Sequence, residues 1–229
     1  MTRLLAFDTS TEVMSIALVH EGGTLQVEAA GGAQASARLI PEILALLARA
    51  GCRLAALDAI AFGAGPGAFT GLRTACSVAQ GLALGAGKPV LPIDSLRIVA
   101  QDAAGTAGFD GWVAMDARMD EVYAARYRRD ESGWQVLDAP ALWTLPALNA
   151  RWAAEPPRRV AGSALAAFGA RLATGEAVCH PQTSSRAGAL AVLAREAWQA
   201  GAALDAARAL PVYLRDKVAL TTAEREAAR

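Results

Sequence analysis

The sequence predicts an α/β fold built from two related halves, and three observations carry that prediction. Apolar strand-like runs alternate with stretches of helical periodicity through the first hundred residues. A glycine-rich segment, "AFGAGPGAFTGLRTACSVAQGLALGAGKPV" at 61–90, joins one such run to one such helix. The opening pattern then restarts near Trp112: "LLAFDTSTEVMSIALV" and "WVAMDARMDEVYAARY" align without a gap at an offset of 108.

Residues 4–7 form a short apolar strand, "DTSTE" a turn, and 13–19 a second strand. A glycine turn and "TLQVEA" complete a three-strand meander. The segment 36–51 places Leu39, Ile43, Leu46 and Leu47 on one helix face, with Ser36 as N-cap and Gly51 as stop. A strand over 57–62, the glycine loop, a helix over 70–84, a strand in "KPVLPID" and a helix in "SLRIVAQDAAG" follow. The first lobe is thus assigned to residues 1–105 and a smaller one to 106–229.

In the restart, Ala6, Phe7, Asp8 and Ala17 meet Ala114, Met115, Asp116 and Ala125. A shift by one brings Glu12 and Val13 onto Glu121 and Val122. A duplicated unit of this size is what two pseudo-repeated lobes give. Residues 134–184 show only a turn at "AEPPRR" and a strand and helix in "RVAGSALAAFGARL". A helix over 184–201, a closing extended segment "LPVYLRDKVAL" and a mobile polar tail "TTAEREAAR" end the chain.

Composition narrows the function. With 229 residues the chain can bury roughly 70% of its unfolded surface without a disulfide or metal. Apolar residues reach 54%. Two readings stay open: surface hidden against a partner, or a bias toward alanine. Twenty-two basic residues balance 22 acidic ones, so the basic excess usual in a protein that holds nucleic acid alone is missing. Cys52, Cys76 and Cys179 form no CxxC and read as reduced thiols. With no signal-like or membrane-spanning run, a cytoplasmic protein with no membrane partner is expected.

The glycine loop fails the Walker pattern, because Pro89 follows the sole Gly-Lys pair. It fits the dinucleotide fingerprint only loosely, through Gly63, Gly65 and Ala68, with Asp94 too distant for the acidic partner. The structural reading is a sharp strand-to-helix turn in which Pro66 fixes one angle and Thr70 caps the helix. Ala75, Cys76, Ala79, Gly81 and Ala83 then allow another helix to approach closely. "DTST" at 8–11 has an acid and hydroxyls that can cradle a phosphate and magnesium, as in actin-like kinases. The other reading is an Asx turn satisfying its own backbone. His20 and His180 are too far apart in sequence for a zinc-protease helix, and G-x-S-x-G is absent.

Four stretches, "LLAFDTSTEVMSIALV", "AFGAGPGAFTGLRTACSVAQGLAL", "AMDARMDEVYAARY" and "PVYLRDKVA", together resemble the TsaB (YeaZ) family. The resemblance implies two RNase H-like lobes of the actin-like ATPase (ASKHA) fold. It also implies a non-catalytic scaffold subunit in making tRNA threonylcarbamoyladenosine, one that activates the TsaD transferase. The implied partners are TsaD, the TsaE ATPase and a second copy of the chain, with tRNA reached indirectly. The transferase's two ligand histidines map onto Ser95 and Val99, which cannot replace imidazole at a metal. A histidine common before the first helix is replaced by Ala35. No metal or catalytic residue is therefore expected, and no cofactor for the chain alone; ATP or ADP with magnesium is expected only in a complex. The candidate nucleotide residues there are Asp8, Thr9, Ser10, Gly65, Gly67 and Thr70. The expected pairing surface combines Leu39, Ile43, Leu46 and Leu47 with Leu72, Ala75, Cys76, Ala79, Leu82 and Ala83. The competing reading is an actin-like ATPase or kinase working alone through Asp8 and the glycine loop, and it predicts tight Mg-ATP binding by the purified chain.

Overall fold

The computed structural model describes residues 2–105, 108–183 and 185–215. In the first half, β1 (Leu4–Asp8), β2 (Val13–His20) and β3 (Gly23–Ala30) form an antiparallel meander. The helix α1 (Ala35–Arg49), strand β4 (Ala59–Gly65), helix α2 (Phe69–Ala86), strand β5 (Val90–Asp94) and helix α3 (Ser95–Ala104) follow. The second half runs β6 (Phe109–Asp116), β7 (Glu121–Asp130), β8 (Gly133–Thr144), α4 (Leu145–Ala154), β9 (Arg159–Ala161), α5 (Ala164–Phe168), β10 (Val178–His180) and α6 (Arg186–Gln199).

The two sheets have one topology. The first is ordered β3-β2-β1-β4-β5, and the second reads β8-β7-β6-β9-β10 in the same direction. Each holds an antiparallel meander extended by two parallel strands. The restart at Trp112 is therefore a repeat of the whole sheet. Period-two alternation sets both faces of each sheet. Leu5, Phe7, Ile16, Leu18, Ile60 and Phe62 face α1 and α2, while Leu4, Ala6, Ala17, Ala59 and Ala61 face α6. In the second sheet Trp112, Ala114, Val122 and Ala124 face α4 and α5, and Trp112 packs edge-on against Trp143 and Trp152.

The last helix of each half is exchanged. Leu96, Val99, Ala100 and Ala104 of α3 pack on Phe109, Val113, Ala125 and Tyr127 of the second sheet, and Ala187, Leu190, Leu193 and Ala194 of α6 pack on the first. The helix over 186–199, placed by the sequence with the second lobe, thus lies on the first sheet. The helix pair α3 and α6 fills the space between the sheets.

Three sequence expectations need correction. At the start of α1 the N-cap is Gln34, without a side-chain bond, because a 3-10 turn at Gly32–Gln34 leads directly into the helix and leaves Ser36 exposed. The N-cap of α2 is Ala68, also without a side-chain bond; Thr70 already lies inside the helix, its carbonyl accepting from Thr74 Oγ1. The vague stretch 134–184 contains most of β8, all of α4, β9, α5 and β10. Gly51 does end α1: with φ +60° it donates to Ala48 O while Cys52 N donates to Leu47 O, a Schellman closure. The tail "TTAEREAAR" lies outside the described residues.

Candidate functional site

The two repeated turns, β1–β2 and β6–β7, face each other across a cleft of about 990 Å³ between the lobes. Ser10, Thr11, Glu12 and Val13 line it from the first turn and Asp116, Ala117, Arg118 and Met119 from the second. Leu72, Leu96, Met115, Tyr123 and Val212 make much of its wall apolar. A cleft of this size at the carboxyl ends of β1, β4 and β6 is where an α/β fold ordinarily takes a ligand.

Asp8 ends β1 and is fully buried. Its Oδ1 accepts from Ser10 N at 2.5 Å, and its Oδ2 accepts from Ser95 Oγ at 2.9 Å and from Arg186 Nη2 at 3.4 Å. Ser95 in turn accepts from Gly65 N at 3.1 Å. The Asx reading of the turn and a cross-lobe tie are thus combined in one carboxylate. Thr9 is buried and its hydroxyl donates to Gly71 O at 2.7 Å, while Ala68 N donates to Ser10 O at 2.8 Å.

The glycine loop therefore closes directly onto the first turn. A Cβ at Gly71 would stand 1.8 Å from Thr9 O, and one at Gly63 would stand 2.1 Å from Asp8 Oδ2. Glycine is needed at 71 because backbone meets backbone there, leaving no room for a phosphate between the two, and at 63 because the Asp8 carboxylate fills the space. Of the candidate nucleotide residues, Asp8, Thr9, Ser10 and Gly65 are brought together but buried. Gly67 sits at the cleft edge, and Thr70 lies exposed in the first turn of α2, outside the cleft lining. The charges at the cleft are also paired within the chain: Arg186 with Asp8, Arg118 with Glu12 and Asp116, Arg215 with Glu121.

The positions of the expected ligand histidines serve packing and bonding. Ser95 opens α3 on Asp8, and Val99 is buried in the core against the second sheet. Next to Ser95 in the chain, Asp94 caps α3 through Leu96 N and Arg97 N and accepts from Tyr127 Oη across the lobes at 2.6 Å. Burial pushes the Asp94 carboxyl above its usual range. Burial and the neighbouring Asp94 charge push Tyr127 far above its own.

The residues expected to form a pairing surface are instead packed within this chain. Leu39, Ile43, Leu46, Leu47, Ala75, Cys76, Ala79 and Ala83 are buried against the first sheet, Leu72 is buried at the cleft, and Leu82 is half-buried on the same core. Helical periodicity finds the apolar face but does not say whether it meets the chain's own sheet. The opposite face of α1 exposes Ala37, Ile40, Pro41, Leu44, Ala45 and Ala48. Beside it α2 exposes Ser77, Gly81, Leu84 and Gly85. Ile40, Leu44 and Leu84 are 42%, 54% and 65% exposed. Apolar residues on both sides of one helix were the available signal for this second face.

The sequence pattern of the family described as "TsaD: tRNA N6-adenosine threonylcarbamoyltransferase" matches residues 31–147. The solved structure of YeaZ from Pseudomonas aeruginosa superposes with a TM-score of 0.82 at 39% identity, covering 93% of this chain and 100% of that one. The chain belongs to the TsaB (YeaZ) family. Two curated relatives carry the description tRNA threonylcarbamoyladenosine biosynthesis protein TsaB. That of Haemophilus influenzae is 43% identical over 129 residues, and that of Escherichia coli 41% over 132. These matches cover 56% and 57% of this chain, and the chain spans 55% and 57% of the length of those relatives. The paired sheets with helices on both faces are the actin-like ATPase fold of that family. Among the described residues no helix is long and apolar enough to cross a membrane.

Proposed function

We propose that this chain is a non-catalytic scaffold subunit for threonylcarbamoyladenosine modification of tRNA, the process named for its TsaB relatives. The observation that carries the reading is the outward face of α1 and α2. It is a surface of small residues edged by Ile40, Leu44 and Leu84, with nothing among the described residues covering it. Small residues let a second helix pair approach closely, and the exposed leucines and isoleucine supply apolar area to bury. Its occupant is a TsaD-type transferase, and a second copy of the chain uses the same face in the absence of that partner. The TsaE ATPase joins the pair, ATP or ADP with magnesium enters only at a joint site, and tRNA is held by the assembly. The protein works in the cytoplasm.

A kinase or ATPase acting alone through Asp8 is disfavoured by the burial of that carboxylate and by its three bonds within the chain. The test is co-purification with a TsaD-type transferase. Leu44→Arg and Gly81→Arg should abolish pairing while the far-UV circular dichroism of the free chain stays that of wild type. Ala79→Arg and Leu46→Arg are unsuitable, because both sites are fully buried. Pairing retained by both exposed-face variants would overturn the assignment of the surface, and transfer onto tRNA by the purified chain alone would overturn the non-catalytic role.

A further inference from the structure

Beyond α6 the chain makes a 3-10 turn at Ala206–Arg208 against α2, then crosses the mouth of the cleft in extended form. Its first anchors are on lobe one. Val212 N donates to Ala64 O at 2.7 Å, and the Tyr213 ring lies 5.3 Å from that of Phe69. The Tyr213 hydroxyl accepts from Arg73 Nε at 3.1 Å. Its last anchor is on lobe two. Arg215 donates to Ala117 O at 2.9 Å and Arg118 O at 3.3 Å and pairs with Glu121, and its Nη1 lies 3.0 Å from Met119 Sδ.

The turn that Arg215 grips holds Arg118, Met119 and Asp120 at φ 63°, 56° and 56°. L-residues avoid this region because the Cβ crowds the following carbonyl oxygen, and three in succession without glycine persist only where neighbours over-determine them. The turn's own closing bonds are two, Ala117 N to Glu121 O and Glu121 N to Arg118 O. Through one nitrogen, Nη2, the guanidinium reaches both carbonyls and the Glu121 carboxylate, and through Nη1 it reaches Met119, so donors and a charge partner come from outside the turn.

We infer that residues 210–215 are an interlobe latch. Arg215 holds the left-handed turn, Val212 and Tyr213 fasten the strap to lobe one, and the turn and the cleft mouth loosen together when either end lets go. The latch uses the N-terminal end of α2, at Phe69 and Arg73, and none of the proposed pairing residues Ser77, Gly81, Leu84 and Gly85 further along that helix.

Hydrogen–deuterium exchange on the full chain tests it. Arg215→Ala should raise exchange at least tenfold in peptides spanning 117–121 and also at the Val212 amide, on the other side of the cleft. Tyr213→Ala touches only lobe one, yet should raise exchange at 117–121 to a comparable degree. Core amides of β1 are the internal reference, and Tyr213→Phe, which removes only the hydroxyl, repeats the comparison with little risk to the fold. If each substitution alters its own end alone, with exchange across the cleft staying within twofold, the two ends are not coupled and the latch is refuted.

Discussion

Gly71→Ala probes the closure of the glycine loop on the first turn. Gly71 lies in the first turn of α2, and its added Cβ would stand 1.8 Å from Thr9 O, where real contacts begin above 3.0 Å. One of the two backbones must retreat by more than an ångström. Overpacking of this kind costs about 1–3 kcal/mol. The retreat also breaks the bond from the buried Thr9 hydroxyl to Gly71 O, and an unsatisfied buried donor costs about 1–3 kcal/mol. Alanine's better helix propensity returns about 1 kcal/mol. The net loss is about 1–5 kcal/mol. An unfolding entropy of roughly 2.1 cal/mol/K per residue over 229 residues translates this into a melting point lower by about 2–10 °C by scanning calorimetry. Gly81→Ala is the control, since its Cβ meets nothing within 4 Å. It should stabilise the free chain by about 0.5–1 kcal/mol. If Gly71→Ala behaves like Gly81→Ala, the loop does not close on the turn, and the argument that no phosphate fits there fails with it.

Other outcomes follow from the same geometry. Asp94→Ala removes the cap of α3 and strands the Tyr127 hydroxyl, and should cost about 2–4 kcal/mol in urea unfolding. The pH dependence has a definite sign. A carboxyl whose folded pKa is raised contributes stability below its ordinary range, and loses it as pH rises through the raised value. Stability measured from about pH 4 upward should therefore carry a declining contribution from Asp94, which Asp94→Asn removes while keeping the cap. Ile40→Ser should leave the melting point within about 0.5 kcal/mol of wild type, as for an exposed position, while weakening self-association in sedimentation.

The first half was legible because its elements carry clear patterns: a nearly continuous apolar run at 13–19, a single apolar stripe over 39–47, and glycine at both ends of the loop. Boundaries set by backbone alone were not. Ala68 caps α2 with no side chain at all, so no residue type announces it. β8 was hidden because it is a half-exposed edge strand, Gly133–Thr144, whose apolar residues follow no strict period. The candidate turn residues were found, but as surface ligands. Their burial depends on α6, which arrives from more than 170 residues further along the chain, and no local pattern reports that. The residues expected to form a pairing face are core residues of the first lobe. A stripe of Leu39, Ile43, Leu46 and Leu47 looks the same whether it meets its own sheet or a partner.

Asp8 is where the two halves are joined, and this gives the sharpest separation between scaffold and kinase. The helices exchanged between the lobes both begin at this carboxylate: Ser95 is the first residue of α3, Arg186 the first of α6, and both donate to Asp8 Oδ2. The pair Asp8–Arg186 is buried on both sides, at 0% and 3% exposure. Removing one member of such a pair leaves an uncompensated charge and costs about 3–5 kcal/mol, whereas replacing both by neutral groups of similar volume is far less damaging. Asp8→Asn and Arg186→Met should each lower stability by about that amount, and the double variant should recover about 2 kcal/mol or more of their sum in urea unfolding. A catalytic acid would behave differently. Asp8→Asn would then leave the fold intact and abolish Mg-ATP binding measured by calorimetry on the wild-type chain. Additive losses in the double variant, or tight Mg-ATP binding that depends on Asp8, would show that the carboxylate faces a ligand instead of joining the lobes.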